Sequence, residues 1–347
     1  DAVIRISNPQ ALLNENVRVQ NEVAAMSLMR DALAGGEWEG LVPHVYAWSP
    51  SSEGRGWIIQ EYKHGVQLDK SFGCLDPERQ RDVVRQVVSF YKLIQNYRLP
   101  TSVQGYGGLA FDEAGQVVTG PTTIPCGGPF DTLPDMYAQM LRRQLDESDT
   151  SDRLKGWRQN GLRERLEHFV LDGIARQTRD SCIARRALIH GDFNMFNMLF
   201  DPSSNRVTAL LDFDFSHVAS PADEYFYSFR TFGALLVGPF EEGDEGLLRT
   251  CLLEGFDGNV PLEPNGKGSV NWTVAVMMDE ESQAAGLLRP ADIHGCGELA
   301  ALHWFLEDVS PPYFYMSRWV ANMKPEDIED THQSIGKNLD RYLARWT

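Results

Sequence analysis

The sequence predicts an α+β chain in two lobes: a small antiparallel-sheet N-lobe over residues 1–63 and a large, mainly helical C-lobe over 64–347. Three observations carry that reading. Short β-type runs cluster at 2–6, 42–48 and 57–62 around one amphipathic helix. From residue 75 onward helical periodicity dominates. A stretch at 187–215 then breaks the pattern with an apolar run, a polar loop, a turn and a strand. The length, 347 residues, is long for one domain and suits two lobes.

The N-lobe reads as strand, helix, strand, strand. AVIRI at 2–6 is a short β-type run. Over 14–34, Val19, Glu22, Met26, Met29 and Leu33 share one helical stripe, and Gly35-Gly36 stop it. Glu22 is the one charge on that stripe. The two further runs are separated by the turn-rich SPSSEGRG, and Lys63-His64-Gly65 reads as a linker. In the C-lobe, Asp76-Pro77 start a helix to 97, and 106–120 is a hairpin turning at Glu113-Ala114-Gly115. Segments 131–147 and 158–177 are helical, 187–215 is the chemistry-bearing loop, and 222–347 is a helical tail suited to binding substrate.

Hydrophobic residues make up 42% and charged residues 23%, ordinary for a globular protein. The net charge of −17 repels a phosphate backbone and argues against nucleic-acid binding. It suits a small, possibly cationic acceptor, and solubility accounts for it equally well. No run of eighteen apolar residues exists, so no membrane partner is expected. The start lacks a basic-then-apolar layout, which predicts a cytoplasmic protein. Cys74, Cys126, Cys182, Cys251 and Cys296 are scattered and odd in number, which predicts buried thiols rather than a disulfide framework or cysteine zinc site.

The informative stretch is ALIHGDFNMFNMLFDPSSNRVTALLDFDF. An apolar run delivers His190-Gly191-Asp192, Asn197 follows, and Val207, Ala209 and Leu211 alternate with Thr208, Leu210 and Asp212 as in a half-buried strand. A loop before one strand and the end of the returning strand can bring Asp192, Asn197 and Asp212 together. Two carboxylates and an amide oxygen suit Mg²⁺. Asp192, earliest on the loop, is free to take a proton from an incoming hydroxyl or amine. Phosphoryl transfer needs that division between a metal and a base.

His190-x-Asp192-x-x-x-x-Asn197 followed by Asp212 resembles the catalytic loop and metal-binding Asp of the protein-kinase-like superfamily. It is most similar to the aminoglycoside phosphotransferase and choline kinase branch, with its H-G-D-x-x-x-x-N and a strand ending I-D-W/F-E/D. The resemblance implies a two-lobed protein-kinase-like fold, ATP and Mg as cofactors, and a small-molecule acceptor. It implies Asp192 and His190 as catalytic-loop residues and Asn197, Asp212 and Asp214 toward the metal. Upstream, Arg5 and Glu22 stand where the family has its phosphate-contacting basic residue and its partner. Gln60, Glu61 and Tyr62 stand at the last strand and hinge, where backbone groups of Glu61 and Tyr62 would meet adenine. Ser220-Pro221-Ala222-Asp223 is similar to a Pro-x-x-Asp segment, with Asp223 expected to brace the loop. The hairpin resembles one common in fungal members. Arg5 replaces the usual Lys, a fork in place of a point charge. The chain starts on what should be the third strand, so a preceding segment carrying the phosphate-covering turn is expected; a reduced fold is the alternative.

Blander readings stand beside these. His190 suits a hydrogen-bonded loop organiser better than a catalyst, Asn197 a turn residue, Asp212 a partner for a buried Arg, and Arg5–Glu22 an ordinary ion pair. Asp214 is evenly a metal contact or structural. Beside a small-molecule kinase stand a pseudokinase or binding module, and a natural-product enzyme using His190, Asp192, Asp212 and His217. Tail residues offered for the acceptor are Glu241, Glu242, Asp244, Glu245, Asp279, Glu280, Glu281, Trp304, Phe305, Tyr313, Phe314, Tyr315 and Trp319.

Overall fold

The first strand, β1 (Ala2–Ile6), turns Val3 and Arg5 inward and Ile4 and Ile6 to solvent. The structure is a computed structural model and describes residues 1–6, 13–50, 55–124, 126–256, 258, 260–261, 270–311, 314 and 324–346. Residues 51–54 of the SPSSEGRG turn, most of the 256–271 loop, and Tyr313, Tyr315 and Trp319 lie outside the described residues.

In α1 (Glu15–Leu33) the stripe of Val19, Glu22, Met26, Met29 and Leu33 is buried in full, the charge included. β2 (Val45–Ser49) starts three residues later than the apolar run. Leu41 and Val42 are core residues of the preceding loop, and Pro43 has no N–H to give a ladder. β3 (Trp57–Glu61) lies between the others in the order β1-β3-β2, antiparallel throughout, with Arg5 opposite Ile58. Ile58 points at Val19 and Val23 of α1. The short β4 (Val66–Gln67) belongs to another sheet and leads into α2 (Leu68–Phe72).

α3 (Pro77–Gln95) is capped by Asp76, whose carboxylate accepts from the Arg79 N–H at 3.0 Å. The hairpin forms where its sequence places it: β5 (Gly108–Phe111) pairs with β6 (Val117–Gly120). Asp112 shapes the turn by accepting from the N–H groups of Ala114 and Gln116. Asn21 of α1 is the clamp that holds this hairpin. Its Oδ1 accepts from the Leu109 N–H at 2.6 Å and its Nδ2 donates to the Ser216 carbonyl at 2.9 Å.

α4 (Leu133–Thr150) follows. The segment expected as one helix over 158–177 is instead α5 (Leu162–His168), a π turn at Phe169–Gly173, and α6 (Ile174–Gln177). The wide turn lets the Phe169 ring fold over Gly173, where a Cβ would lie 2.1 Å from it. β7 (Ala187–Ile189) enters the informative loop, and β8 (Met198–Asp201) and β9 (Arg206–Leu210) make the return, in the sheet order β4-β8-β9. β10 (His217–Ala219) comes back antiparallel to β7. The tail adds α7 (Glu224–Tyr227), α8 (Gly243–Glu254), α9 (Trp272–Ala285), α10 (Cys296–Val309) and α11 (Pro325–Arg345).

One continuous core runs from the C-terminal half of α1 through α3 and the loop strands to α10 and α11. It fixes α1 to the C-lobe as firmly as to its own sheet. Cys74 and Cys182 are exposed, against the expectation of five buried thiols, while Cys126, Cys251 and Cys296 are buried; no disulfide joins any of the five. Among the described residues no helix is long and apolar enough to cross a membrane.

Asn21→Ala leaves a buried N–H and a buried carbonyl without their partner. The expected cost is about 2 kcal/mol of folding stability, read by urea unfolding; a loss under about 0.5 kcal/mol contradicts the clamp.

Candidate active site

β7 ends at Ile189, and the chain turns sharply at Gly191, whose φ is +79°. A Cβ there would sit 2.6 Å from the Phe215 carbonyl, so this turn requires glycine. The loop's amides are then held by one neighbouring segment. Glu224, fully buried, accepts from the N–H of His190 at 2.7 Å and of Gly191 at 3.0 Å. The Ser228 hydroxyl accepts from the Phe193 N–H at 2.8 Å, and that of Thr231 from the Met195 N–H at 2.9 Å. Burial raises the Glu224 carboxyl, while Ser228 and the two amides oppose that shift. The expectation that Asp223 braces the loop is corrected: the brace is the next residue. Asp223 faces away, accepting from the Tyr137 hydroxyl at 2.9 Å with His217 Nε2 at 3.9 Å.

His190 is buried with both ring nitrogens engaged. Nδ1 accepts from the Asp192 N–H at 3.2 Å, so Nε2 carries the proton toward the Leu211 carbonyl at 3.2 Å. Burial pushes the imidazole down to about 3, so the ring is neutral. No ring nitrogen remains for an incoming group, which matches the organiser role rather than the catalytic one.

Asp192 is half-buried, and each of its oxygens accepts an amide at 2.8 Å: Oδ1 from Asn194 and Oδ2 from Asn197. Burial raises its pKa against those two hydrogen bonds. Asn197 also donates to the Asp192 carbonyl at 2.9 Å, which engages its Nδ2 and leaves Oδ1 as its acceptor. Asp212 does not stand on the strand as the alternation predicts. β9 ends at Leu210: the Leu211 N–H still donates to the Asn197 carbonyl at 2.9 Å in the strand register, but the Asn197 N–H turns away to the Asn194 carbonyl at 3.0 Å and the ladder stops. Asp212 follows with φ +65°. Its carboxyl is raised by burial and then by the carboxylates of Asp214 and Asp192, with Arg5 and Arg18 opposing.

Two arginines answer this negative charge. Arg5 joins Glu22 in a short ion pair, and its Nη2 lies 3.4 Å from Asp212 Oδ1. Arg18 is paired with Asp214 Oδ2 at 2.5 Å and Glu15 at 3.1 Å. Arg18 stands one helical turn before Glu22, so α1 turns both side chains toward the loop. Sequence reasoning passed over Arg18; its spacing from Glu22 was the available signal. A small pocket of about 250 Å³ opens here, lined by Arg5, Arg18, Glu22, Trp57 and Ile58. Gln60 is buried beside Ile58 on the inner face of β3, and its Oε1 has no protein partner. The Glu61 N–H donates to the His44 carbonyl at 2.8 Å and the Tyr62 N–H to the Asp1 carbonyl at 3.1 Å, so neither amide is free.

The sequence profile of a phosphotransferase enzyme family matches residues 1–252. The chain belongs to that family. No curated protein matches it in sequence. Among solved structures, a putative aminoglycoside phosphotransferase from Ralstonia eutropha JMP134 is 16% identical with a TM-score of 0.51, covering 100% of this chain and 87% of that one. The streptomycin–ATP complex of APH(2")-IIa is 11% identical at 0.54, covering 97% and 86%. ADP-bound APH(2'')-Ib is 13% identical at 0.52, covering 99% and 88%. At such identities the likeness is one of fold, and the fold of this phosphotransferase is protein-kinase-like. Nothing in these matches bears on the fungal likeness of the hairpin.

The tail residues offered for the acceptor largely have other duties in the phosphotransferase. Glu280 and Glu281 pair with Arg81 and Arg85 and lock α9 against α3, and Asp279 pairs with Arg289. Phe305 and Phe314 are core, and Trp304 donates its indole N–H to the Leu236 carbonyl. The pocket beside the loop is built elsewhere, from Thr122, Thr123, Ile124, Cys126 and α4 together with Gly191, Phe215, His217 and Tyr227. The turn-rich run after the hairpin was its faint sequence trace.

Glu307 and Asp308 on α10 are each pushed up to about 7, by burial first and then by Glu147 for the one and Glu241 and Glu307 for the other. Their folded values lie above the unfolded ones, so their contribution to stability is complete below the unfolded values and is lost as pH rises through about 7. The melting temperature is expected to fall between about pH 5 and 8, and the double variant Glu307→Gln, Asp308→Asn to flatten that fall. An unchanged slope in the variant contradicts the assignment.

Proposed function

We propose that the protein is an ATP-dependent phosphotransferase acting on a hydroxyl, or an amine, of a small molecule, with residues 1–63 and 64–347 as the two lobes around its site. The observation that carries this is the meeting of Arg5, held by Glu22, with Asp212 at 3.4 Å, opposite the hydrogen-bonded Asp192–Asn197 pair. A cation-lined recess faces a loop that holds a base.

The donor set fits magnesium. Asp214 Oδ1 is buried without a partner, and Asp212 is raised by the two carboxylates beside it. Among the described residues no three His, Cys, Asp or Glu side chains group to hold a metal, so the donor set rests on two carboxylates and one amide oxygen. Asn197 through Oδ1 and Asp212 would hold it, with Asp214, tethered by Arg18, alongside. When bound, Mg²⁺ supplies neutralisation of phosphate charge.

The chain's own groups do the rest. Arg5 and Arg18 orient the nucleotide phosphates, and Gln60, buried on β3 with its Oε1 unpartnered, is a group offered to the base. Asp192, fixed by Asn194 and Asn197, accepts the acceptor's proton as its oxygen bonds to the γ-phosphorus and the bond to the ADP oxygen breaks. His190 positions Asp192 through its N–H. A raised Asp192 makes a stronger base than a free carboxylate, and its protonation ends activity on the acid side. The structural neighbours support ATP as donor, since streptomycin and ATP occupy APH(2")-IIa, and AMP-PNP with hygromycin B occupies APH(4)-Ia. Cytoplasmic residence fits two exposed thiols outside any disulfide.

Asp192→Asn removes the base and leaves one of the two amide hydrogen bonds, from Asn194 or Asn197, without its acceptor. With ATP, Mg²⁺ and a panel of amino alcohols, aminoglycosides and simple alcohols, ADP release coupled to product is expected from the wild type. The variant is expected to lose about 10²- to 10⁴-fold in turnover while remaining folded, at a cost of about 1 kcal/mol for the lost hydrogen bond. Near-normal turnover by the variant refutes the role. One observation favours a second reading, a pseudokinase: the amides of Glu61 and Tyr62 already have partners. A melting temperature indifferent to saturating ATP and Mg²⁺ decides for it.

A further inference from the structure

The open pocket of about 560 Å³ beside the catalytic loop has a wall chemistry that narrows the acceptor. Its position ties it to the site. Gly191, in its wall, directly precedes Asp192, and Thr123 on the opposite wall donates its hydroxyl to the Asp214 carbonyl at 2.7 Å. The pocket thus abuts the backbone that carries Asp192 and Asp214, whose side chains are not in its walls.

The walls are mostly apolar: Ile124, Met136, Met140 and Phe215, with the ring faces of Tyr137 and Tyr227. The polar groups are already occupied among themselves. The hydroxyl of Thr122 donates to the Ile124 carbonyl, and that of Tyr137 to Asp223 Oδ1. Asp223, the one carboxylate in the wall, is 2% exposed and is faced on its other oxygen by His217. Asp223 raises the His217 imidazole, so the pair cancels much of its own charge. Glu307, near enough to raise the Tyr227 phenol, is itself pushed up to about 7 and is no fixed anion. His217 Nδ1 faces the Phe215 carbonyl at 2.8 Å, which leaves Nε2, 3.9 Å from Asp223 and beyond hydrogen-bond reach, as the open polar point.

We infer that this pocket seats the acceptor of the proposed phosphotransfer, and that the acceptor is a compact, neutral, largely apolar alcohol with an aromatic or branched-alkyl body and at most one further polar group, received by His217. The inference rests on that functional reading. A polycationic sugar entering this pocket sheds hydration from several ammonium groups and meets no unpaired carboxylate in return. An apolar ring gains by its burial against these walls.

The test is saturation-transfer NMR on the full chain with benzyl alcohol and 2-phenylethanol as neutral probes and gentamicin as the polycation, with ATP affinity measured in parallel. The probes are expected to bind the wild type and to resist displacement by gentamicin. Ile124→Trp, a change at a partly exposed position, is expected to weaken them about tenfold or more with ATP affinity unchanged. Met140→Trp serves as the second variant should the first not fold. Failure of both alcohols to bind, displacement by gentamicin, or binding indifferent to the variants overturns the inference. Loss of ATP binding with alcohol binding and its sensitivity to Ile124→Trp intact refutes the phosphotransfer reading instead and leaves the pocket's selectivity standing.

Discussion

The candidate site depends on one buried carboxylate. Glu224 holds the amides of His190 and Gly191, and everything the loop presents follows from where those two residues sit. With Gly191 pinned, the chain turns at positive φ, His190 reaches Leu211 with one nitrogen and Asp192 with the other, and Asp192 is delivered to Asn194 and Asn197. A carboxylate without exposed surface is costly unless its oxygens are matched, and here Ser228 and two amides match them. Glu224, Ser228 and Thr231 form a row of acceptors along one segment, so the loop's conformation is set by a neighbour rather than by its own propensities.

Charge balance is the second constraint. Asp192, Asp212 and Asp214 stand close enough for the first and last to raise the second, in a chain whose net charge is already −17. Arg5 from β1 and Arg18 from α1 answer them, and each is steadied by a second carboxylate, Glu22 or Glu15. Guanidinium forks can bridge two acceptors at once, which is what a site shared between protein carboxylates and phosphate oxygens asks for. The Arg5 that departs from the usual Lys is therefore consistent with its surroundings, since a single ammonium could not span Glu22 and Asp212 with the same fixed geometry.

Local features were the legible ones. His190, Asp192, Asn197 and Asp212 are carried by a loop, a turn and a returning strand within one short stretch, so spacing alone brings them near. The buried stripe of α1, with Glu22 as its inward charge, followed from periodicity. What stayed hidden arises between distant segments. Asn21 clamps a hairpin nearly ninety residues away; no pattern around it marks it off from an ordinary helical Asn. Glu224 rather than Asp223 became the brace because α7 begins there and rotates the second of two adjacent acids toward the loop. The acidic run at 279–281 reads as an acceptor site only until the partners of Glu280 and Glu281, Arg81 and Arg85 on α3, are seen. The apolar pocket escaped notice because its walls come from five separate stretches.

The central claim is that the arginine-lined recess and the Asp192–Asn197–Asp212 group form one magnesium-dependent nucleotide site. Calorimetric titration of the full chain with ATP, in Mg²⁺ and again in EDTA, for the wild type and for Asp212→Asn, tests it most directly. The expected result is binding that needs Mg²⁺ and that weakens at least about tenfold in the variant. Equal affinity in EDTA, or a variant that binds MgATP as the wild type does, would contradict it.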